Sequence, residues 1–201
     1  MHKMEFDLHY IVSFLPALML GVALSAASGF RIFVPLLVAS LAGRFGVFSL
    51  ADNMAWLSDT PATIVLAAAV VLELAAYYIP VVDNLLDTIA GPSAVLAGTL
   101  LTSSFLQIDD PSIQWGLGLV AGGGVAGTIQ AGTSLLRLGS TKFTAGLGNN
   151  ILASFENGMS VFISLISLLI PVFIGGITLF FVIWIWRKLY SRKAKSGLSN
   201  S

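Results

Sequence analysis

One carboxylate in an apolar segment constrains this chain more than any other feature. Between Ile64 and Ala76 the only polar residue is Glu73, so a helix over this segment is apolar on every face. Such a helix is buried either in a large protein core or in lipid. The charge content decides between them, because 10% of the residues are charged, against about 25% in soluble domains. We therefore predict an integral membrane protein.

The membrane-embedded structure is predicted to be all-α, because the period-two alternation of a transmembrane barrel is absent. We expect a polytopic transmembrane helix bundle of about six or seven spans over residues 1–190, followed by a disordered basic and polar tail over residues 191–201. As one helix, the apolar stretch from Tyr10 to Phe48 would be about 58 Å long, twice the hydrocarbon thickness. The sequence therefore favours broken or re-entrant helices.

Arg31 lies at the first interruption of the apolar pattern, in the segment SGFRIFVPLL. In one interpretation its side chain extends to the lipid headgroups from a tight turn between two spans. In the other it is buried at a broken helix and pairs with a carboxylate such as Glu73, Asp83 or Glu156. The sequence leaves both interpretations open.

Two further acidic segments contribute candidate residues for a polar path. Asp83 and Asp87 share one side of a short helix and form either a helix cap plus a solvated charge or an acidic pair at a cavity mouth. Glu156 follows the polar Asn150 and marks either an interfacial helix start or a side chain facing a pore. We take six residues as candidates to line a path for a solute or ion: Arg31, Glu73, Asp83, Asp87, Asn150 and Glu156.

Small residues recur every four positions, which is typical of closely packed transmembrane helices. The predicted packing positions are Gly21, Ser25, Gly29, Gly118, Gly122, Gly123 and Gly127. The segments LGVALSAASGF and LGLVAGGGVAGT also resemble each other weakly. They suggest two related halves meeting at broken helices, as in many transporters.

Several classes of function are excluded or disfavoured by composition. The chain has no Cys, and its two His lie at positions 2 and 9, so neither thiolate chemistry nor a metal site is predicted. No catalytic constellation can be assembled, so we predict neither an enzyme nor a cofactor. A formal net charge of zero gives no support for nucleic-acid binding.

The C-terminal region indicates on which side of the membrane the chain ends. Trp184 and Trp186 form an aromatic belt, and five basic residues follow them: Arg187, Lys188, Arg192, Lys193 and Lys195. Positive charge flanking a span favours the cytoplasmic side. We predict a multi-pass protein of the prokaryotic inner (plasma) membrane with a cytoplasmic C-terminus. If the chain crosses the membrane seven times, Arg31, Arg137 and Lys142 also lie on the cytoplasmic side. If it crosses six times, Arg137 and Lys142 lie outside the cell.

Three segments together, SGFRIFVPLL, IPVVDNLLDTIAGPSAVLAG and GNNILASFENG, resemble a prokaryotic membrane family catalogued as domain of unknown function 4126. The similarity extends from about Gly21 to Pro171. The family pattern often has an acid where this chain has Asn157 and a charged residue where it has Tyr78, which weakens a proton relay at those positions. The resemblance implies the architecture and no activity.

Two functions remain open from the sequence. The first is a transporter or channel for a small solute or ion with a polar intramembrane site, since ionisable residues in membranes usually face a cavity or a partner. The alternative is a membrane scaffold or accessory subunit, whose small-residue helix faces bind another membrane protein. The expected partners are the lipid bilayer, a small solute or ion, and a second copy or another membrane protein.

Overall fold

A computed structural model describes residues 8–76, 79–144 and 148–198, with only the backbone described at 8–12, 80–87 and 192–198. Within these residues the chain is all-α and has no strand. Its helices are α1 (Leu8–Ser28), α2 (Phe33–Arg44), α3 (Thr60–Ala76), α4 (Pro80–Phe105), α5 (Pro111–Leu117), α6 (Gly124–Thr144), α7 (Asn149–Leu169) and α8 (Pro171–Leu198). A 3₁₀ segment (Asp52–Ser58) precedes α3, and a π-helical turn (Gly118–Gly123) joins α5 to α6.

The chain is a membrane protein with three helical segments long and apolar enough to cross a bilayer: Pro111–Thr144, Asn149–Leu169 and Pro171–Ser191. The 3₁₀ segment and α3 form a fourth if they act as one span bent by 58°. Within the described residues this is fewer than the six or seven spans predicted. A break after Ser28 divides the first apolar stretch into α1 and the 12-residue α2, and α2 is too short to cross alone.

Helix α1 is the centre of the bundle and contacts α2, α4, α6, α7 and α8. Its contact with α4 is close because Gly21 has no side chain: a Cβ atom there would lie 2.7 Å from Cα of Thr102. Ser25 continues the contact, with Oγ 2.8 Å from the Gly98 carbonyl oxygen. At the end of α1, a Cβ on Gly29 would lie 2.8 Å from the Ala126 carbonyl oxygen of α6.

The π-helical turn packs on the same part of α4, around Gly98 and Thr102. A Cβ on Gly122 would collide with the Gly98 carbonyl oxygen, and one on Gly118 would lie 2.8 Å from the Thr99 carbonyl oxygen. Gly123 and Gly127 lie against Val95 of the same helix. All seven small residues singled out in the sequence thus lie at contacts between helices of this chain. The suggested relation between the two halves stays a prediction.

Two segments differ from their sequence-based assignment. The polar residues from Arg137 to Asn150 predict a loop, but α6 extends to Thr144 and contains both Arg137 and Lys142. The loop prediction was wrong because polar side chains are tolerated inside a helix bundle when they pair there, as Arg137 does with Glu156. At the C-terminus α8 continues to Leu198, through most of the segment assigned to a disordered tail.

Candidate functional site

Arg31 is buried at the break between α1 and α2, with 1% of its surface exposed. Its guanidinium donates to the carbonyl oxygens of Phe30 at 3.2 Å and Ala153 at 3.1 Å, and to Oδ1 of Asn157. It also forms an ion pair with Glu156, with Nη1 to Oε2 at 3.1 Å. Of the two interpretations of Arg31, headgroup contact is wrong and burial against a carboxylate is correct.

Glu156 is shared by a second arginine, Arg137 of α6. Nε of Arg137 donates to Oε1 of Glu156 at 3.2 Å, and Nη2 donates to Oε2. This two-point contact is the strong geometry for an arginine and a carboxylate. We call Arg31, Arg137 and Glu156 the charge cluster; at most 4% of each residue is exposed. It joins the α1–α2 break to α6 and α7.

The charge cluster lies about two turns inside the helices that carry it. Arg137 lies about 10 Å from the end of α6, and Glu156 about 10 Å from the start of α7, at 1.5 Å per residue. Glu156 therefore lies two turns inside a candidate span and is buried against two arginines. Its interpretations as an interfacial helix start and as a side chain facing a pore both stay predictions.

Glu73 has a different role, because its carboxylate caps α2 from the neighbouring helix. Oε1 accepts from the backbone N–H of Ile32 at 2.7 Å, and Oε2 from that of Phe33 at 3.0 Å. The first N–H groups of a helix have no partner within it, and a negative charge is favourable there. Glu73 also lines an apolar cavity of about 380 Å³ between the start of α2, α3 and α4.

A row of serines continues from the charge cluster along α7. Ser160, Ser164 and Ser167 follow Glu156 at intervals of four, four and three residues, so they lie on one face of the helix. All three are fully buried. We call these three residues the serine line. Ser160 Oγ donates to the Ala27 carbonyl oxygen at 3.1 Å, which places the start of the line against the end of α1.

Ser164 occupies the middle of the serine line. Among the described side chains, its Oγ is one of two buried polar atoms with no hydrogen-bond partner, the other being Oδ1 of Asn149. A buried hydroxyl without a partner costs about 1–3 kcal/mol. A polar molecule reaching this position would gain a hydrogen bond there.

The remaining predicted site residues are not part of this arrangement. Asn150 is exposed in the first turn of α7. Asp83 and Asp87 lie in the first turns of α4, where the side chains fall outside the described residues. Among the residues that the structure does describe, no three His, Cys, Asp or Glu side chains come close enough to hold a metal ion.

Sequence reasoning missed Arg137 and the serine line. Arg137 was overlooked because its assignment to a loop made a solvated charge the natural explanation. The serines carried a usable signal, since they recur with the helical period directly after Glu156 in an apolar segment. Serine is nevertheless common at helix contacts in membranes, so the signal is not specific.

Comparison with known proteins gives one match. A family model described as a domain of unknown function (DUF4126) matches residues 18–190, which is most of the chain. No curated protein and no solved structure matches it.

Proposed function

The chain belongs to the DUF4126 family, and on that premise we propose that it is a transporter or channel for a small solute or ion. The proposed path follows the serine line of α7, past Ser160, Ser164 and Ser167, and has the charge cluster at one end. We assign no catalytic step and no cofactor to it.

The length of the polar face on α7 carries this proposal. Glu156 lies about 10 Å from the start of α7, and Ser167 lies about 17 Å further along the helix. The buried polar face from Glu156 to Ser167 therefore covers about half of the roughly 30 Å of hydrocarbon that a span must cross. A buried polar face of this length is what a path for a polar solute needs.

The energetic cost of the buried polar groups supports the same proposal. Charged side chains in membranes are rare and mark solute or ion pathways when they occur. Here two guanidinium groups and a carboxylate are buried at the α1–α2 break, and broken helices are where transporters place their sites. A structural role alone would not require the unpartnered hydroxyl of Ser164 in the middle of the helix.

The scaffold alternative was based on small-residue helix faces, and these faces are already buried within the chain. Gly21 and Gly29 of α1 and Gly118 and Gly122 of the π-helical turn are covered by α4 and α6 of the same chain. A protein partner or a second copy would have to bind another surface. We retain this alternative as the explanation to adopt if the path is closed to water.

The proposed orientation follows from the end of α8. Arg187 and Lys188 follow the aromatic residues Trp184 and Trp186, which favours a cytoplasmic C-terminus in the prokaryotic inner membrane. A fusion of a phosphatase and of a fluorescent protein to the C-terminus tests this. We expect fluorescence without phosphatase activity, and the opposite pattern would reverse the orientation.

Cysteine labelling tests the path, because the chain has no Cys of its own. Ser164→Cys places a thiol in the serine line, and Leu165→Cys places one on the adjacent residue, whose side chain is 53% exposed on the outer surface of the helix. Both variants are treated in intact cells with a small, charged, membrane-impermeant thiol reagent.

We expect the reagent to modify Ser164→Cys and not Leu165→Cys, since water reaches the first thiol and lipid covers the second. Protection of both would indicate a sealed bundle and favour the scaffold alternative. Modification of both would mean that α7 does not cross the bilayer as proposed.

A further inference from the structure

The geometry of α8 points to a second site, independent of the proposed path: its outer face binds a phospholipid with an anionic headgroup. Two adjoining cavities on this face form a groove that is basic at one end and apolar along the rest. We name it the α8 groove, and it runs from Ile170 to Ser191.

The basic end is built to hold a phosphate. A cavity of about 490 Å³ is lined there by Phe180, Ile183, Trp184, Arg187, Lys188 and Ser191. The Lys188 ammonium lies 4.7 Å from the centre of the Trp184 ring, a cation–π contact. This contact holds the ammonium at the cavity that Arg187 also lines, and tryptophan is typical of the membrane interface.

The charge around this end favours an anion. No acidic residue follows Glu156 anywhere in the sequence, so α8 itself supplies no carboxylate to neutralise Arg187 and Lys188. The exposed indole of Trp186 donates to Oγ1 of Thr128 at 3.1 Å, so the nearest part of α6 is also uncharged. Anionic lipid surfaces attract such basic groups.

The apolar part of the α8 groove has the dimensions of an acyl chain. An open depression of about 680 Å³ on the helix surface is lined by Ile170, Pro171, Val172, Phe173, Gly176, Ile177 and Phe180, and it shares Phe180 with the basic end. Gly176 leaves open space in its middle. From Arg187 to Gly176 the helix rises about 17 Å, about half of the hydrocarbon thickness. One chain of one leaflet therefore fits below the headgroup.

A second copy of the protein fits this face less well. A symmetric parallel contact through the α8 groove would bring Arg187 and Lys188 of one copy next to the same residues of the other. Like charges at such a contact are unfavourable. A phospholipid instead complements both the basic end and the apolar groove.

The test uses Trp184 as the reporter. The other three tryptophans, Trp56, Trp115 and Trp186, are replaced by Phe, and the full chain is reconstituted in phosphatidylcholine with increasing amounts of brominated phosphatidylglycerol or brominated phosphatidylcholine. Bromine quenches a tryptophan that it touches. We expect half-maximal quenching at a content of brominated phosphatidylglycerol about tenfold lower than that of brominated phosphatidylcholine.

The variant Arg187→Gln/Lys188→Gln is expected to remove this preference, whereas Arg187→Lys/Lys188→Arg keeps it because the charge is unchanged. Arg44→Gln, which neutralises an exposed arginine on α2, is the control and should also keep it. Equal quenching by the two lipids in the parent protein, or a preference that survives Arg187→Gln/Lys188→Gln, would overturn the inference. Competition by millimolar inorganic phosphate would assign the site to the ion alone and overturn the lipid assignment.

Discussion

At the scale of single residues, the unusual feature is one carboxylate held by two guanidinium groups. Arg31 and Arg137 come from opposite parts of the sequence, and Glu156 holds both at the α1–α2 break. Removing one partner of a buried ion pair is costly because it leaves an uncompensated charge. The three positions are therefore not equivalent, since loss of the shared carboxylate affects two pairs at once.

Glu156→Gln is predicted to destabilise the fold more than Arg137→Gln. The first variant leaves two guanidinium groups without the shared carboxylate and should cost about 3–5 kcal/mol. The second leaves Glu156 paired with Arg31 and should cost on the order of 1–3 kcal/mol. Reversible unfolding in mixed micelles with increasing denaturing detergent measures both. Equal losses would mean that Arg31 does not pair with Glu156.

Glu73 provides a second prediction, because its two oxygens hold two N–H groups of α2. Glu73→Gln keeps one acceptor oxygen and should cost about 1 kcal/mol, whereas Glu73→Ala removes both and should cost about 2 kcal/mol. Val71→Ala, at an exposed position of the same helix, serves as the control in the same unfolding measurement. If the two Glu73 variants are as stable as the control, the carboxylate does not cap α2.

Residues such as Glu73, Arg31 and Glu156 could be singled out from the sequence because a charge in an apolar segment is expensive and conspicuous. The partners of these residues could not be predicted, because spacing along the chain does not specify which helices are in contact. Arg31 was given three possible carboxylates, and the structure shows one of them, Glu156. The hydroxyl of Ser164 was missed because an isolated serine has no such cost in the sequence alone.

At the scale of secondary structure, helix starts were predictable where local chemistry dictates them. The dipeptide Asp110-Pro111 predicts a helix cap followed by a first-turn proline, and the Asp110 side chain does accept from the N–H of Ser112 at 2.8 Å. The end of α6 was not predictable in this way, because the pairing of Arg137 with Glu156 cannot be seen in the local sequence. Helix ends in this chain depend on packing as well as on local sequence.

The contact between α4 and the π-helical turn gives a prediction at this scale. Gly122→Ala places a methyl group against the Gly98 carbonyl oxygen, whereas Gly124→Ala places one in open space. We expect Gly122→Ala to cost about 1–3 kcal/mol through overpacking, and Gly124→Ala to be neutral or stabilising. Thermal unfolding followed by tryptophan fluorescence compares the two, and a Gly122 variant as stable as the Gly124 variant would contradict the close contact.

At the scale of the whole molecule, composition was sufficient to predict an all-α membrane protein. The number of spans could not be predicted from composition. An apolar run shows that a segment prefers lipid, but it does not show where its helix breaks. The break after Ser28 creates the position that Arg31 occupies, and the interruption SGFRIFVPLL predicts that break.

The most direct test of the proposed path measures flux through purified protein in liposomes. The parent chain, Ser164→Cys and Leu165→Cys are each reconstituted, and uptake of potassium, chloride and glycerol is followed with and without the thiol reagent used for labelling. We predict flux of at least one solute above that of protein-free liposomes, and we predict that the reagent blocks it only in Ser164→Cys. No flux of any solute, or flux that is unchanged after complete modification of Ser164→Cys, would contradict a path along the serine line.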